Sequence, residues 1–231
     1  MIKISVIIPV LNEAETIGKL ILYLTENAFN PNTLEFIIVD GGSTDDTSKI
    51  VNDFDAARLL HSEKGRAKQM NFGAQKASGT ILYFLHADSF PPKYFDRYIL
   101  EEVEKENLAG CFRMQFDSNH WWLRLASWFT QFSWKVCRGG DQSLFVSKNL
   151  FEDIGGYDEN YIIYEDNVLI DELYKQSKFV VINKKIKSSA RRYEKQGIWK
   201  LQFHFWVIHL KKSLGASADD LYAYYKKHLL N

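Results

Sequence analysis

Between Ile4 and Asp88 the chain alternates short apolar runs with stretches of helical period, and each apolar run stops at a polar cluster. "ISVII" (4–8) is short and β-branched, as a strand buried on both faces requires. Asn12 stands where a helix cap is expected, and Ile17, Leu20, Ile21 and Leu24 then recur at helical spacing. "LEFIIVD" (34–40) reads as a second strand, followed by "GGSTDD" and a short helix through Ile50 and Val51 capped by Thr44 or Asp45. "ARLLHS" (57–62) is a third strand, and "GRAKQMNFGAQKASG" (65–79) a helix closed by Gly79 as its C′ residue. "TILYFLHAD" (80–88) is a fourth strand. Strand alternating with helix implies right-handed crossovers and a largely parallel sheet, an α/β fold of Rossmann-like type.

Three polar clusters then share one address. Asn12-Glu13, Asp40-Gly41-Gly42-Ser43 and His86-Ala87-Asp88 each sit at the carboxyl end of a strand, the rim where open α/β sheets bind ligands. Any one of them is equally well a turn, since Asn, Asp, Gly and Ser are turn formers. Three acidic strand ends on one rim are different. Their carboxylates would repel one another unless a cation or a hydrogen-bonding ligand lay among them.

The second half is less regular. "HWWLRLASWFTQFSWKVC" (120–137) reads as an aromatic helix, Ser143 to Val146 as a strand, and Leu150 to Ile154 as a helix stopped by Gly155-Gly156. Glu165-Asp166 enters a further helix whose Val168, Leu169 and Leu173 face the core, and "KFVVINKKIK" holds another strand. With no internal repeat and no low-complexity linker, residues 1–231 are expected to form one domain.

Composition excludes several classes. The 231 residues, 46% hydrophobic, suit a single substantial core. Lys plus Arg and Asp plus Glu both total 29, a balance that argues against nucleic acid as a partner. Cys111 and Cys137 have neither zinc-site spacing nor the numbers for a disulfide framework, so a reduced, cytoplasmic setting is expected. No apolar run approaches the roughly 18 residues of a spanning helix, and Pro9 breaks the first run too early for a signal peptide.

At this point the motifs resemble a known family. "VIIPVLNEAETIGKLI", "FIIVDGGSTDDT", "ASGTILYFLHADSF", "GGYDENYIIYEDNVL" and "SSARRY" fall in the order typical of glycosyltransferase family 2. The chain looks most like its short bacterial subgroup with GRAxQMNxGA, FLHAD, GDQ and SARR motifs, over nearly its whole length. The resemblance implies a GT-A fold and a nucleotide-sugar donor, with the nucleotide on residues 1–110 or so and the acceptor on the remainder. Pro9, Asn12 and Glu13 resemble the first nucleotide-contacting loop, with Gly42 and Ser43 beside them. Asp40 looks like the carboxylate that hydrogen-bonds the base, usually a pyrimidine, hence a UDP-linked donor; Gly41 stands where the family often has a second Asp. Asp88 looks like the last Asp of the DxD motif, which binds Mn²⁺ or Mg²⁺ on the diphosphate, and Asp166 like the catalytic base of inverting members. His86 replaces the first Asp of that motif and is expected on ribose or phosphate instead.

The chemistry supports these assignments on its own terms. A leaving diphosphate concentrates negative charge, for which a hard cation on carboxylate oxygen is a suitable Lewis acid. The acceptor hydroxyl needs a base on the opposite face of the sugar, and Glu165 is expected to raise the pKa of the neighbouring Asp166 by like-charge repulsion. Arg66, Arg191 and Arg192 are candidates for phosphate or an anionic acceptor. Asp141 and Gln142 either shape the acceptor pocket or cap a strand. From Lys175 to Lys212 eleven Lys or Arg face one acid, Glu194, around the aromatic "GIWKLQFHFWVIHLKK". That segment suits either a helix on the inner face of the cell membrane or a packed C-terminal helix with its lysines outward. Trp121, Trp122, Trp128 and Trp134 widen that surface, line an acceptor groove or fill the core. His204 and His209 are expected to be structural. The acceptor itself reads as a saccharide or a lipid-linked molecule. Two rivals remain: a non-catalytic nucleotide-sugar-binding protein, and a nucleotidyltransferase, which "PVLNEAE" disfavours because it lacks a glycine-rich basic phosphate loop.

Overall fold

The computed structural model describes residues 3–139, 142–176 and 178–230. Its first half alternates as the sequence predicts: β1 (Ile4–Val10), α1 (Ile17–Asn27), β2 (Leu34–Asp40), α2 (Thr47–Asn52), β3 (Ala57–His61), α3 (Arg66–Lys76) and β4 (Ile81–Phe84). These strands are parallel in the order β3-β2-β1-β4, with Ile4 beside both Leu34 and Ile81. The two-residue period of β1 sorts its side chains into two cores. Ile4, Val6 and Ile8 pack with Leu20 and Leu24 of α1, whereas Ile7 packs with Met70 and Ala74 of α3.

The chain continues through β5 (Ser89–Phe90), α4 (Phe95–Glu104), β6 (Ala109–Phe116), α5 (Trp121–Phe129), β7 (Leu144–Ser147), α6 (Lys148–Asp153), α7 (Glu165–Gln176) and β8 (Phe179–Ser188). It closes with α8 (Arg191–Gln196), α9 (Ile198–Ser213) and α10 (Ala218–Leu229). β7 is antiparallel to both β4 and β6, β6 runs parallel to β8, and β5 is antiparallel to β8. The resulting eight-stranded sheet, β3-β2-β1-β4-β7-β6-β8-β5, is parallel in its first half and mixed in its second. This is the expected GT-A architecture.

Local expectations differ at four places. Asn12 does not cap α1: it adopts φ 56° and accepts the Thr44 N–H at 2.8 Å, while Thr16 takes the cap position. Gly79 does not close α3, which Ala77 caps; it passes so near β1 that a Cβ would lie 2.7 Å from Ser5 Oγ. The strand before His86 ends at Phe84, and the aromatic helix ends at Phe129 rather than near Cys137. β5, α4 and β6 carry no signal that the sequence analysis used.

Candidate active site

The loops after β1 and β2 are laced into one unit. The Asn12 N–H donates to Ser43 Oγ at 2.9 Å, and the Glu13 N–H to Thr47 Oγ1 at 2.8 Å. Asp40, only 2% exposed, holds the second of these loops in shape. Its Oδ1 accepts from the Ser43 N–H, the Ser43 hydroxyl and the Gly42 N–H, and its Oδ2 from the Ser48 hydroxyl at 2.6 Å. Burial pushes the Asp40 carboxyl up, but these hydrogen bonds outweigh it and hold the group below its ordinary value. Asp40 thus shapes the Gly42-Ser43 turn. Gly41 also finds its reason here. The buried Gln69 ties the two loops by donating to Val10 O and Val39 O, and a Cβ on Gly41 would lie 2.9 Å from Gln69 Oε1.

The third loop is set by the smallest strand. β5 places Ser89 opposite Ser188 of β8, and the Ser189 N–H donates to Asp88 O at 3.2 Å. That pairing brings the start of α8 onto the rim. Arg191 donates through Nη2 to Glu13 Oε1 at 2.6 Å and lies with Nε 3.6 Å from Asp88 Oδ2. One guanidinium therefore bridges carboxylates from two strand ends.

A cleft runs along this rim. One part, about 210 Å³, is lined by Pro9, Glu13, His86, Asp88, Arg191 and Arg192. A larger part, about 520 Å³, is lined by His86, Tyr164, Glu165, Asp166, Arg192 and Tyr222. A third, about 490 Å³, runs along Pro9, Glu13, Lys64 and Gln69. Arg66 lines all three parts, and His86 the first two. Asp88 and Asp166 thus line adjoining parts of the cleft that share Arg66, His86 and Arg192 as walls. His86 spans the boundary, its Nε2 3.9 Å from Asp166 Oδ2.

Asp166 and Glu165 occupy the first turn of α7, where the helix dipole favours negative charge. The residue before them, Tyr164, is held at φ 71°, a conformation that non-glycine residues adopt at a cost. Its hydroxyl meets His209 Nδ1 at 2.9 Å, and burial pushes its phenol up to about 12 and His209 down. His204 is paired in the same way with Tyr224, at 2.8 Å. Glu165 is buried against Arg66 at 3.0 Å. Burial pushes its carboxyl up, Arg66 pulls it back and Asp166 adds to the rise, leaving it above its ordinary value. Tyr157 Oη stands beside Asp166 without a hydrogen bond of good geometry, and burial raises its phenol strongly.

The remaining candidates fall on either side of this site. Arg192 is clamped between the Phe205 and Tyr225 rings and donates to Tyr225 Oη at 2.7 Å, with its charge on the cleft wall. Gln142 is buried, and its amide oxygen accepts from Arg138 at 2.7 Å. Asp141 lies outside the described residues. Arg138 was missed by sequence reasoning. It is buried and spends its donors on Gln142, Cys111 and the carbonyls of Thr130, Phe132 and Trp134. Tyr222 and Tyr225 of α10 were missed too. The Ser217/Asp220 capping box, both halves of which form, is the sequence signal that marks that helix.

Among the described residues no three His, Cys, Asp or Glu side chains form a metal cage. What the rim offers is Asp88 with Glu13 beside it, two oxygen donors already sharing one cation in Arg191. That donor set fits Mg²⁺ or Mn²⁺ in the manner usual with phosphates, one or two carboxylates with substrate oxygens completing the shell.

The model of the family "Glycosyl transferase family 2" matches residues 5–158, more than half of the chain. The chain belongs to glycosyltransferase family 2. A family relative, the glycosyltransferase AglE of Haloferax volcanii, is 38% identical over 94 residues, 38% of this chain and 31% of AglE. The chain therefore spans about a third of that relative. Among solved structures, the mannosyltransferase PcManGT of Pyrobaculum calidifontis, in complex with GDP-Man and Mn²⁺, superposes with TM-score 0.73 at 18% identity over 98% of this chain and 70% of that one. TarS 1–349 of S. aureus with UDP gives 0.69 at 18% identity, over 81% of this chain and 60% of that one. At that identity the likeness concerns the fold. No helix among the described residues is long and apolar enough to cross a membrane.

Proposed function

We propose that this chain is an inverting glycosyltransferase that moves a sugar from a UDP-linked donor to an acceptor hydroxyl or lipid phosphate. The observation that carries the reading is the convergence of Asp88 and Asp166 on one rim cleft, with His86 on the boundary between them. The two loops, laced by the Asn12–Ser43 and Glu13–Thr47 hydrogen bonds, offer Pro9, Asn12, Glu13, Gly42 and Ser43 to the nucleoside, and His86 faces ribose or phosphate. Asp88, with Glu13 beside it, would hold Mn²⁺ or Mg²⁺, which when bound neutralises charge on the leaving diphosphate. Arg66, Arg191 and Arg192 add fixed positive charge along the same wall. Asp166 takes the proton of the acceptor hydroxyl as its oxygen bonds to the anomeric carbon. The bond from that carbon to the diphosphate oxygen breaks, and the nucleoside diphosphate departs with the electron pair. Support comes from the two solved relatives of this fold, one holding UDP and the other GDP-Man with Mn²⁺. The chain acts in the cytoplasm in this reading.

Calorimetric titration of UDP and GDP, in Mn²⁺ and in EDTA, tests the binding half of the proposal. UDP is expected to bind at least about tenfold more tightly with the cation, a difference of about 1.4 kcal/mol. If neither nucleotide binds in Mn²⁺, the rim is not a nucleotide site.

A further inference from the structure

α9 carries an apolar stripe that the described residues leave more than half exposed. Trp199, Phe203, Trp206 and Leu210 recur at i, i+4, i+7 and i+11, and each is more than half exposed. α5 sets a second stripe beside it in Trp121, Leu125 and Trp128. Rings of the two helices touch, with Trp122 5.3 Å from Trp199 and 5.9 Å from Trp206, and Trp121 5.8 Å from Trp199. Trp128 stacks onward through Phe132 to Trp134, and Val136 beyond it is 80% exposed. Isolated surface apolar residues need no explanation, but a continuous aromatic face built by two helices and a turn does.

Its electrostatics identify the occupant. Residues 120–139 and 195–214, which build this face, hold no Asp or Glu; of their seven Lys or Arg, Arg138 is buried and Lys135 pairs with Asp171 at 2.7 Å, which leaves Arg124, Lys195, Lys200, Lys211 and Lys212 as its cations. Two copies meeting through it would bring these cations together, whereas an anionic lipid surface supplies the opposite charge. Tryptophan, with an apolar body and one N–H, is the residue suited to that boundary.

An apolar groove of about 340 Å³ opens beside the face, between Met114, Trp122, Phe129 and Trp206. It shares Phe116, Tyr193 and Phe205 with the part of the cleft that holds Asp88, and Arg138, Gly139 and Phe205 with the part that holds Asp166. The groove thus adjoins both parts of the cleft, sharing walls with each. We propose that the acceptor is an amphiphile drawn from an anionic lipid surface on which this face sits. Its apolar chain lies in the groove and its polar head reaches Asp166. The identity of the head as acceptor rests on the glycosyltransferase reading above; the lipid face does not.

The test uses the whole chain. Co-sedimentation with phosphatidylcholine vesicles, with and without phosphatidylglycerol, is expected to show strong binding to the anionic vesicles at low salt that fades at high salt. The exposed triple variant Trp199→Gln/Phe203→Gln/Leu210→Gln is expected to lose about tenfold or more of that partitioning while UDP binding is unchanged. Dodecyl phosphate should bind, read by tryptophan fluorescence, at least about tenfold more tightly than butyl phosphate, and Ala126→Trp, which fills the groove, should remove the difference. Absence of binding to anionic vesicles at low salt, or a dimer in light scattering that the triple variant dissolves, overturns the lipid face. Equal affinity for the two alkyl phosphates overturns the groove. Because UDP binding is read separately, its failure would overturn the glycosyltransferase reading and leave these outcomes legible.

Discussion

Asp166→Asn is expected to lower turnover by about 10²-fold or more, the usual contribution of a positioned general base, while nucleotide affinity stays close to that of the parent. The exchange conserves shape and hydrogen-bonding length but leaves no group able to take the acceptor's proton. Asp166 sits in the first turn of α7 with His86 and Tyr157 beside it, and the carboxamide can keep the same place. Glu165→Gln is the informative contrast. Glu165 is spent on Arg66, so its loss is expected to loosen Arg66 and lower stability without the same fall in kcat. The check is kcat and KM for both variants alongside their thermal midpoints. Parallel losses of affinity and rate in Asp166→Asn would make the residue a binding or structural one.

Asp88→Ala is expected to abolish the cation-dependent part of UDP binding, at least about tenfold in Kd, whereas His86→Ala weakens it only partially. The reason is local. Asp88 and Glu13 already share a positive charge, that of Arg191, so the protein has built a place where a cation is favourable. His86 lies on the same wall, with its Nε2 3.9 Å from Asp166 Oδ2, and is expected to touch ribose or phosphate and not the cation. Calorimetry with each variant in Mn²⁺ and in EDTA separates the two contributions. If both variants retain the full Mn²⁺ effect, this strand end does not hold the cation.

Much of this was legible before any coordinates. The short, continuous β-branched runs "ISVII" and "LEFIIVD" pointed to strands buried on both faces, and β1 does divide its side chains between two cores. The strand-end clusters at Glu13, Asp40 and Asp88 could be named because acidic residues interrupting apolar runs are costly without a purpose. What stayed hidden depends on tertiary context. β5 is two residues long and has no period to detect, yet its pairing with β8 delivers Arg191 to Asp88. Asn12 has cap chemistry, but its side chain bonds sideways to Thr44 because the neighbouring loop lies within reach. Asp40 has the composition of a ligand-binding carboxylate, and the hydroxyls that occupy its oxygens come from Ser43 and Ser48 in the same turn. Arg138 sits in a segment without helical or strand period, and its burial follows from carbonyls that only the folded loop gathers.

The most direct measurement is a donor screen. The protein is incubated with a panel of UDP- and GDP-sugars in Mn²⁺, and sugar loss and nucleotide release are followed by mass spectrometry, with Asp166→Asn in parallel. The expected result is consumption of one donor, UDP-linked, that stops in EDTA and falls about 10²-fold or more in Asp166→Asn. Binding of a nucleotide-sugar with no donor consumed, or consumption indifferent to both Asp166 and the cation, would contradict the assignment of this cleft as a glycosyltransferase active site.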